Sequence, residues 1–409
     1  MYREKMWEGS FKMALTISEK CRNIHPSVTL AIDARAKQLR AMGLDVIGFG
    51  AGEPDFDTPR YIKSAARDAL DAGMTKYTPV AGTVELRTEI QQKLLHDNGL
   101  DYELADIIVS SGAKQCLFNA LSAILDPGDE VLLPSPCWVS YPEMVRMAGG
   151  VPVMVKGDEA NGFLVDADAL RPHVTERTKA LILNSPNNPS GSVCSRALLE
   201  GVAALAVEKQ FYVISDEIYE KLIYDGEAHV SIASLGDEIR AQTIVVNGVS
   251  KSYAMTGWRL GYACGPSVII GSMLKLHQYA IMSAPTTSQY AAIEALRNGD
   301  PDIEMMREAY NDRRRFVMKR LADIGLPCFD PAGAFYVFPS VREFGMTSEE
   351  FARRLLEEKQ VAVVPGSAFG ACGEGFLRIS YAYSVSDLKR ALALIEEFVN
   401  DLRKSGAKG

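Results

Sequence analysis

The stretch Ala180-Leu181-Ile182-Leu183-Asn184-Ser185-Pro186-Asn187-Asn188-Pro189-Ser190-Gly191 changes abruptly from apolar to turn-forming residues. Its first four residues are apolar, which is typical of a strand covered on both faces of a parallel sheet. The Asn, Pro, Ser and Gly residues that follow are those that favour turns. The stretch therefore predicts a buried strand that brings polar groups to one edge of a sheet.

Four other short apolar segments have the same character, at residues 106–110, 130–133, 211–214 and 243–246. Helical stretches such as Arg196 to Lys209 lie between them and complete β-α-β units. Beyond residue 300 the pattern changes to a long charged helix, expected over 302–321, and an apolar strand, expected over 334–338. The predicted fold class is α/β, with a large domain built on a mostly parallel, helix-flanked sheet and a smaller α+β domain.

Composition and charge exclude several classes of protein. The 409 residues include 44 Lys and Arg against 52 Asp and Glu, a net charge of −8, which does not suit a protein that binds nucleic acid or an anionic membrane surface. The seven cysteines are dispersed, which fits a cytoplasmic location and gives no disulfide framework or zinc motif. No apolar run is long enough for a membrane span, and no metal site is expected. The sequence also lacks the P-loop, G-x-S-x-G and H-E-x-x-H motifs.

Ligands of open α/β sheets bind beyond the carboxyl ends of the strands, so the residues after each predicted strand are the candidates for a site. These residues offer a helix N-terminus, an indole, an amide, a carboxylate, a phenol and an amine, from Ser111 to Lys114, Trp138, Asn188, Asp216, Tyr219 and Lys251. The helix N-terminus suits a phosphate, and the indole suits stacking on a heteroaromatic ring. The carboxylate suits a protonated ring nitrogen, and the lysine suits a Schiff base with an aldehyde. The set therefore predicts pyridoxal 5′-phosphate as the cofactor.

Six motifs occur in an order that resembles a known family. They are Ala51-Gly52-Glu53-Pro54-Asp55-Phe56, Lys76-Tyr77-Thr78-Pro79, Asn184 to Gly191, Asp216-Glu217-Ile218-Tyr219, Ser250 to Arg259 and Arg378-Ile379-Ser380. Over about residues 24–398 the chain resembles the class I, fold-type I pyridoxal-phosphate aminotransferases, in the bacterial aspartate/aromatic branch. With this resemblance, the chain is predicted to divide into an N-terminal arm (1–27), a segment joining the small domain (28–60), the large cofactor-binding domain (61–298) and the small C-terminal domain (299–409).

The resemblance implies roles for three catalytic residues. Lys251 is expected to bind the cofactor covalently and to shuttle a proton as base and acid. Asp216 is expected to keep the pyridine nitrogen protonated, and Tyr219 is expected to bind the ring oxygen together with Asn188. Taken without the resemblance, Lys251 would be a surface lysine, Asp216 an N-cap, and Asn188 a turn residue. Asp216 and Tyr219 are expected on one face of a helix that follows the strand.

The resemblance also implies a phosphate site and a dimer. The phosphate is expected to be bound by Gly112, Ala113, Lys114, Ser250 and Arg259, through backbone amides, a hydroxyl and a guanidinium. Trp138 is expected to stack on the cofactor ring and to contact substrate. Tyr77 is expected to reach the phosphate of a neighbouring subunit, which predicts a homodimer with shared active sites.

Substrate recognition is implied for a further group of residues. Arg378 is expected to bind the α-carboxylate through its two-pronged guanidinium, with Asn188 nearby, and Gly52 would let its backbone approach the substrate. A dicarboxylate substrate needs a second cation, for which His25 is the candidate; the alternative is that His25 is only a loop residue. A neutral histidine there would instead admit an aromatic ring.

The predicted function is transfer of an amino group from an L-amino acid, with aspartate preferred, to 2-oxoglutarate through a pyridoxal phosphate/pyridoxamine phosphate ping-pong cycle. The alternatives are an aromatic aminotransferase and, on the same fold, a C–S lyase or other non-transaminase chemistry. Arg378 favours transamination, because a held carboxylate leaves the Cα–H bond to break. A third possibility, a regulator with a vestigial aminotransferase domain, is disfavoured by the acidic charge and by the few residues before Met13.

Overall fold

Seven apolar strands build the central sheet of the computed structural model, which describes residues 16–406. In chain order, the described strands are β1 Ile47–Gly48, β2 Ile107–Ser110, β3 Glu130–Ser135, β4 Val151–Lys156, β5 Thr178–Asn184, β6 Tyr212–Asp216, β7 Thr243–Gly248, β8 Gly261–Cys264, β9 Tyr336–Val337, β10 Val361–Ala362, β11 Val364–Pro365 and β12 Leu377–Ser380. The sheet order is β2-β8-β7-β6-β5-β3-β4. Neighbours pair in parallel except β8, which is antiparallel to both β2 and β7. All five predicted strands belong to this sheet, so the α/β prediction is confirmed.

Helices cover both faces of the sheet. The described helices are α1 Glu19–Arg22, α2 Val28–Ala41, α3 Arg60–Asp71, α4 Val84–Asn98, α5 Ala113–Ile124, α6 Ser140–Met147, α7 Ala167–Leu170, α8 Arg196–Lys209, α9 Asp237–Arg240, α10 Ser267–Ala280, α11 Thr286–Asn298, α12 Asp300–Ile324, α13 Ser348–Lys359 and α14 Val385–Gly406. Side chains alternate along β5, so that Ile182 packs in the core under α5 and α10 whereas Leu181 packs in the core under α8. Among the helices of residues 16–406, none is both long and apolar enough to cross a membrane.

Helix α8 has the predicted bounds because local signals set both of its ends. The Ser195 hydroxyl accepts a hydrogen bond from the Leu198 amide at 3.2 Å, and Gln210 ends the helix in the left-handed conformation. Its buried face consists of Leu199, Val202 and neighbouring apolar residues.

The C-terminal part of the chain forms a second, smaller layer. Strands β11, β12 and β9 make a three-stranded antiparallel sheet, and α12, α13 and α14 contribute to the same apolar core. The predicted strand at 334–338 is paired only at Tyr336–Val337, and the predicted helix at 302–321 extends over Asp300–Ile324. Strand β1 pairs in parallel with β10, which supports the predicted joining of residues 28–60 to the small domain. The three boundaries between the four predicted segments stay predictions.

The helix expected after Asp216 is absent, and residues 218–221 form a turn instead. The reason lies in two buried carboxylates. Glu217 accepts hydrogen bonds from the hydroxyls of Ser215 and Ser231, at 2.8 and 2.7 Å, and Glu220 accepts one from the Asn247 amide at 2.7 Å. Both side chains are buried, and their hydrogen bonds to residues of β6 and β7 fix the backbone of this segment.

Candidate active site

A cavity of about 390 Å³ lies at the carboxyl edge of the central sheet, against the smaller C-terminal layer. The predicted site residues that line it are Gly52, Ala113, Lys114, Trp138, Asn188, Asp216, Tyr219, Ser250, Lys251, Arg259 and Arg378. The carboxyl ends of parallel strands meet at this edge, which explains why residues distant in sequence converge here.

Lys251 follows β7 and brings an amine into the cavity. Its Nζ donates a hydrogen bond to the carbonyl oxygen of Gly52 at 2.5 Å and lies 5.8 Å from the centroid of the Tyr219 ring. Burial lowers the pKa of Lys251 to about 8, and the positive charges of Arg378 and Arg259 act in the same direction against the opposing effect of Glu53. A substantial fraction of this amine is therefore neutral near physiological pH, as attack on a carbonyl requires.

Asp216 ends β6 as a carboxylate that is only 3% exposed. One oxygen accepts a hydrogen bond from the Tyr141 hydroxyl at 2.7 Å, and the other accepts one from the Ile218 amide at 3.3 Å. Burial raises the pKa of Asp216 to about 6 although the bond from Tyr141 opposes the rise. A buried carboxylate of this kind is stabilised by a cationic partner, and a protonated ring nitrogen is one.

The N-terminus of α5 and the guanidinium of Arg259 form an anion site. Gly112 precedes the helix with φ of +85°, a conformation that favours glycine, and a Cβ there would lie 2.7 Å from Arg259 Nη2. Gly112 lies next to the lining residue Ala113 and in contact with Arg259, but it does not itself line the cavity. Free amides at a helix N-terminus together with a guanidinium suit a phosphate.

Arg378 lies on β12 with part of its hydrogen-bonding capacity unused. Its Nη1 donates to Asn188 Oδ1 at 2.9 Å and its Nη2 donates to the Gly50 carbonyl at 2.6 Å. Its buried Nε has no partner among residues 16–406. A guanidinium has five N–H groups, so the terminal nitrogens of Arg378 still have N–H groups to offer a carboxylate ligand.

Two tyrosines of the site carried no signal in the sequence. Tyr141, on α6, donates to Asp216, and the Tyr336 hydroxyl lies 2.8 Å from that of Tyr219. Both line the cavity, and both contacts span long stretches of chain, 75 and 117 residues. No local pattern marks such contacts.

Two predicted residues lie away from the cavity lining. His25 is exposed, and its backbone amide and its Nδ1 both contact the Glu143 carboxylate, at 3.3 and 3.2 Å. Tyr77 is 84% exposed on the surface of this subunit.

The donor set fits pyridoxal 5′-phosphate: an anion site, a buried carboxylate, a stacking indole and an amine of lowered pKa face one cavity, with the Arg378 guanidinium beside them. Residues 44–395 match the family model described as aminotransferase class I and II. The chain belongs to the class I and II aminotransferases. The predicted family, the fold-type I architecture and the dependence on pyridoxal phosphate are thereby confirmed.

Known aminotransferases resemble the chain over nearly its whole length. It is 46% identical over 391 residues to the aspartate aminotransferase of Geobacillus stearothermophilus, covering 94% of this chain and 99% of that one. It is 48% identical over 379 residues to the aspartate/prephenate aminotransferase of Thermus thermophilus, covering 92% and 97%. The solved structure of Thermus thermophilus aspartate aminotransferase with maleate aligns with a TM-score of 0.90 at 46% identity, covering 94% and 99%.

Proposed function

We propose that this aminotransferase takes the amino group from aspartate and passes it to 2-oxoglutarate. The observation that carries the proposal is the ammonium group of Lys114. Four cationic side chains line the cavity, those of Lys114, Lys251, Arg259 and Arg378. The other three already serve the cofactor, its phosphate and the α-carboxylate in the predicted scheme. Lys114 is the cationic side chain of this lining to whose ammonium group the scheme assigns no role.

Within residues 16–406, burial and the positive charge of Arg259 act on the Lys114 ammonium, and no carboxylate does. Its Nζ lies 4.6 Å from the centroid of the Trp138 ring, against which the cofactor ring is expected to stack. Burial lowers the pKa of Lys114, and Arg259 adds to that effect. An anionic group entering the cavity would supply a countercharge, and the cofactor phosphate expected at the N-terminus of α5 is one such group. A second substrate carboxylate is such a group, and aspartate, 2-oxoglutarate and prephenate all possess one.

The chemistry follows from groups that already face one another. When bound, pyridoxal phosphate supplies an electron-accepting ring that stabilises negative charge at the substrate α-carbon. Arg378 binds the α-carboxylate and so fixes the direction of the Cα–H bond. Lys251 takes the proton from the α-carbon as a base and, as an acid, would deliver it to C4′, the cofactor carbon that carries the nitrogen. Asp216 holds the proton on the ring nitrogen.

Replacing Lys114 with glutamine tests the assignment of aspartate. We expect kcat/KM for aspartate to fall by about 10- to 100-fold, the range for loss of one charge-assisted hydrogen bond. Alanine as donor is the matched control, because it lacks the second carboxylate, and its kcat/KM should change by less than about threefold. Equal losses for both donors would mean that Lys114 serves the cofactor instead, and the case for aspartate would be lost.

An aromatic donor is the second candidate. Leu30 and Leu117 line the same cavity and give it an apolar wall. A half-reaction screen decides between the two: the enzyme is mixed with single amino acids, and the loss of absorbance of the lysine-linked cofactor is followed. Aspartate and glutamate should react faster than phenylalanine and tyrosine. The reverse order would establish an aromatic aminotransferase, and no reaction with any of them would point to a lyase.

A cytoplasmic location stays a prediction from the cysteines, all seven of which are free.

The proposal includes a homodimer in which Tyr77 completes the partner's phosphate site. Two exposed tyrosines support this, because Tyr77 is 84% and Tyr279 is 88% exposed in the single subunit. The Tyr77 segment is itself well anchored, since the Lys76 carbonyl accepts a hydrogen bond from the Thr286 hydroxyl at 2.8 Å. A fixed segment that holds an aromatic side chain out into solvent suits an interface.

Mixing two inactive variants tests whether sites are shared. Equal amounts of Lys251→Ala and Tyr77→Ala subunits are dissociated and reassociated, and activity is measured. If Tyr77 serves the partner, half the dimers are hybrids that have one intact site each, so about a quarter of wild-type activity should return. If Tyr77 serves its own subunit, no hybrid has an intact site. Activity no higher than the mean of the two parent variants would therefore refute the shared site.

A further inference from the structure

Tyr336 lies where the two layers of the molecule meet at the cavity. It is fully buried on β9, opposite Ser380 of β12, and its hydroxyl lies 2.8 Å from that of Tyr219, which follows β6 of the central sheet. This pair of hydroxyls is a direct polar link between the small layer and the cofactor-binding edge.

The same side chain touches two other predicted functional residues. The Arg378 guanidinium carbon lies 4.6 Å from the centroid of the Tyr336 ring, a cation–π distance. The hydroxyl also packs against Gly52, where an added Cβ would lie 2.5 Å from it. One tyrosine thus contacts the two residues expected to bind the cofactor oxygen and the α-carboxylate, and the glycine whose backbone is expected to approach the substrate.

We propose that Tyr336 is a positioning residue that holds the Tyr219 hydroxyl and the Arg378 guanidinium in fixed relation to each other. Each phenol has one proton. If the Tyr219 hydroxyl donates its proton to the ring oxygen of the cofactor, the Tyr219 oxygen is left to accept, and the hydroxyl of Tyr336 is the donor. Tyr336 then sets the direction of the Tyr219 O–H bond and strengthens it as a donor, because consecutive hydrogen bonds polarise one another.

The order of donors predicts a change in the spectrum of the resting enzyme. In Tyr336→Phe, Tyr219 loses the bond that it accepts and becomes a weaker donor to the cofactor oxygen. The anionic form of that oxygen is then less stabilised, so the lysine-linked cofactor holds its proton to higher pH. We expect the midpoint of its absorbance titration, measured without substrate, to rise by about 0.5 pH unit. A midpoint that is unchanged or lower would overturn the proposal.

A matched control and a second variant separate this role from general packing. Tyr310 is also fully buried, in the same apolar core, and its hydroxyl has no partner among residues 16–406, so Tyr310→Phe should leave the midpoint unchanged. Tyr336→Leu removes the ring as well, and should both raise the midpoint and weaken binding of maleate by about 3- to 30-fold through loss of the cation–π contact. In Tyr336→Phe, maleate affinity should stay within about twofold.

The inference rests on the cofactor site of the proposed function but not on the choice of aspartate. If the wild-type enzyme does not bind maleate, the proposed dicarboxylate specificity fails, while the pH titration still decides the role of the Tyr336 hydroxyl. If maleate binds Tyr336→Leu as tightly as the wild type, the link to Arg378 is refuted.

Discussion

Lys251→Ala is expected to purify as a folded protein that lacks the absorbance of the lysine-linked cofactor and has lost at least about 10⁴-fold in kcat. The estimate is the upper range for one group that transfers a proton in the transition state. The fold should survive because the side chain makes one hydrogen bond, to the Gly52 carbonyl. Removing a buried amine whose pKa is lowered to about 8 also removes an unfavourable desolvation.

Thermal unfolding of Lys251→Ala is best compared with the cofactor-free wild-type protein, because cofactor binding itself stabilises the folded state. The two midpoints should agree within a few degrees. Lys251→Arg is the matched variant that retains a positive charge without an amine able to form the Schiff base, and it should be as inactive as the alanine variant. A variant at this position that kept both absorbance and turnover would disprove the assignment of Lys251.

Asp216→Asn is expected to retain cofactor but to lose at least about 100-fold in kcat, the lower range for removal of a major preorganised electrostatic group. Asparagine has nearly the same size and can still accept from the Tyr141 hydroxyl, so the change removes the negative charge together with the longer bond from the Ile218 amide. The measurement is kcat at saturating donor, with cofactor occupancy followed by absorbance. Undiminished turnover in a fully loaded variant would mean that Asp216 does not hold the ring proton.

Tyr141→Phe separates the charge of Asp216 from its hydrogen bonding. It leaves the carboxylate in place and removes one donor, so the loss in kcat should be no more than about tenfold, in line with one hydrogen bond. The same variant should also change the pH dependence of activity. The bond from Tyr141 lowers the pKa of Asp216, so its loss should raise that pKa further and bring the fall in activity on the acid side to higher pH.

Five strands of the central sheet can be predicted because each contains a short run of apolar residues, a signal that lies within the segment itself. All five predicted strands are present, and helix α8 has the predicted bounds because a serine cap and a left-handed residue mark its ends. Strands β4 and β8 were not predicted. Within β4 a proline interrupts the apolar pattern, and β8 begins with a glycine and contains no β-branched residue. The absent helix after Asp216 is a failure of another kind, since buried carboxylates override the local pattern there.

The site residues that were found stand directly after strands or in recognisable motifs. Those that were missed act across the fold. Tyr141 and Tyr336 reach their partners over 75 and 117 residues, and nothing near either residue in the sequence indicates a contact. Lys114 was expected to contribute a backbone amide, and only the arrangement of charges around the cavity draws attention to its ammonium group. The pairing of His25 with Glu143 likewise depends on residues 118 positions apart.

The pairing of β1 with β10 has a consequence for biosynthesis. Ile47 lies beside Val361, and Arg378 reaches back to the Gly50 carbonyl across 328 residues. Asp216, at the end of β6, and Lys251 and Arg259, between β7 and β8, are all translated before helix α12 begins. The part of the cavity around Arg378, in contrast, cannot form until the last quarter of the chain has left the ribosome and folded back onto the segment that contains β1 and Gly50. During synthesis, the residues that hold the cofactor therefore precede the site that binds the substrate α-carboxylate.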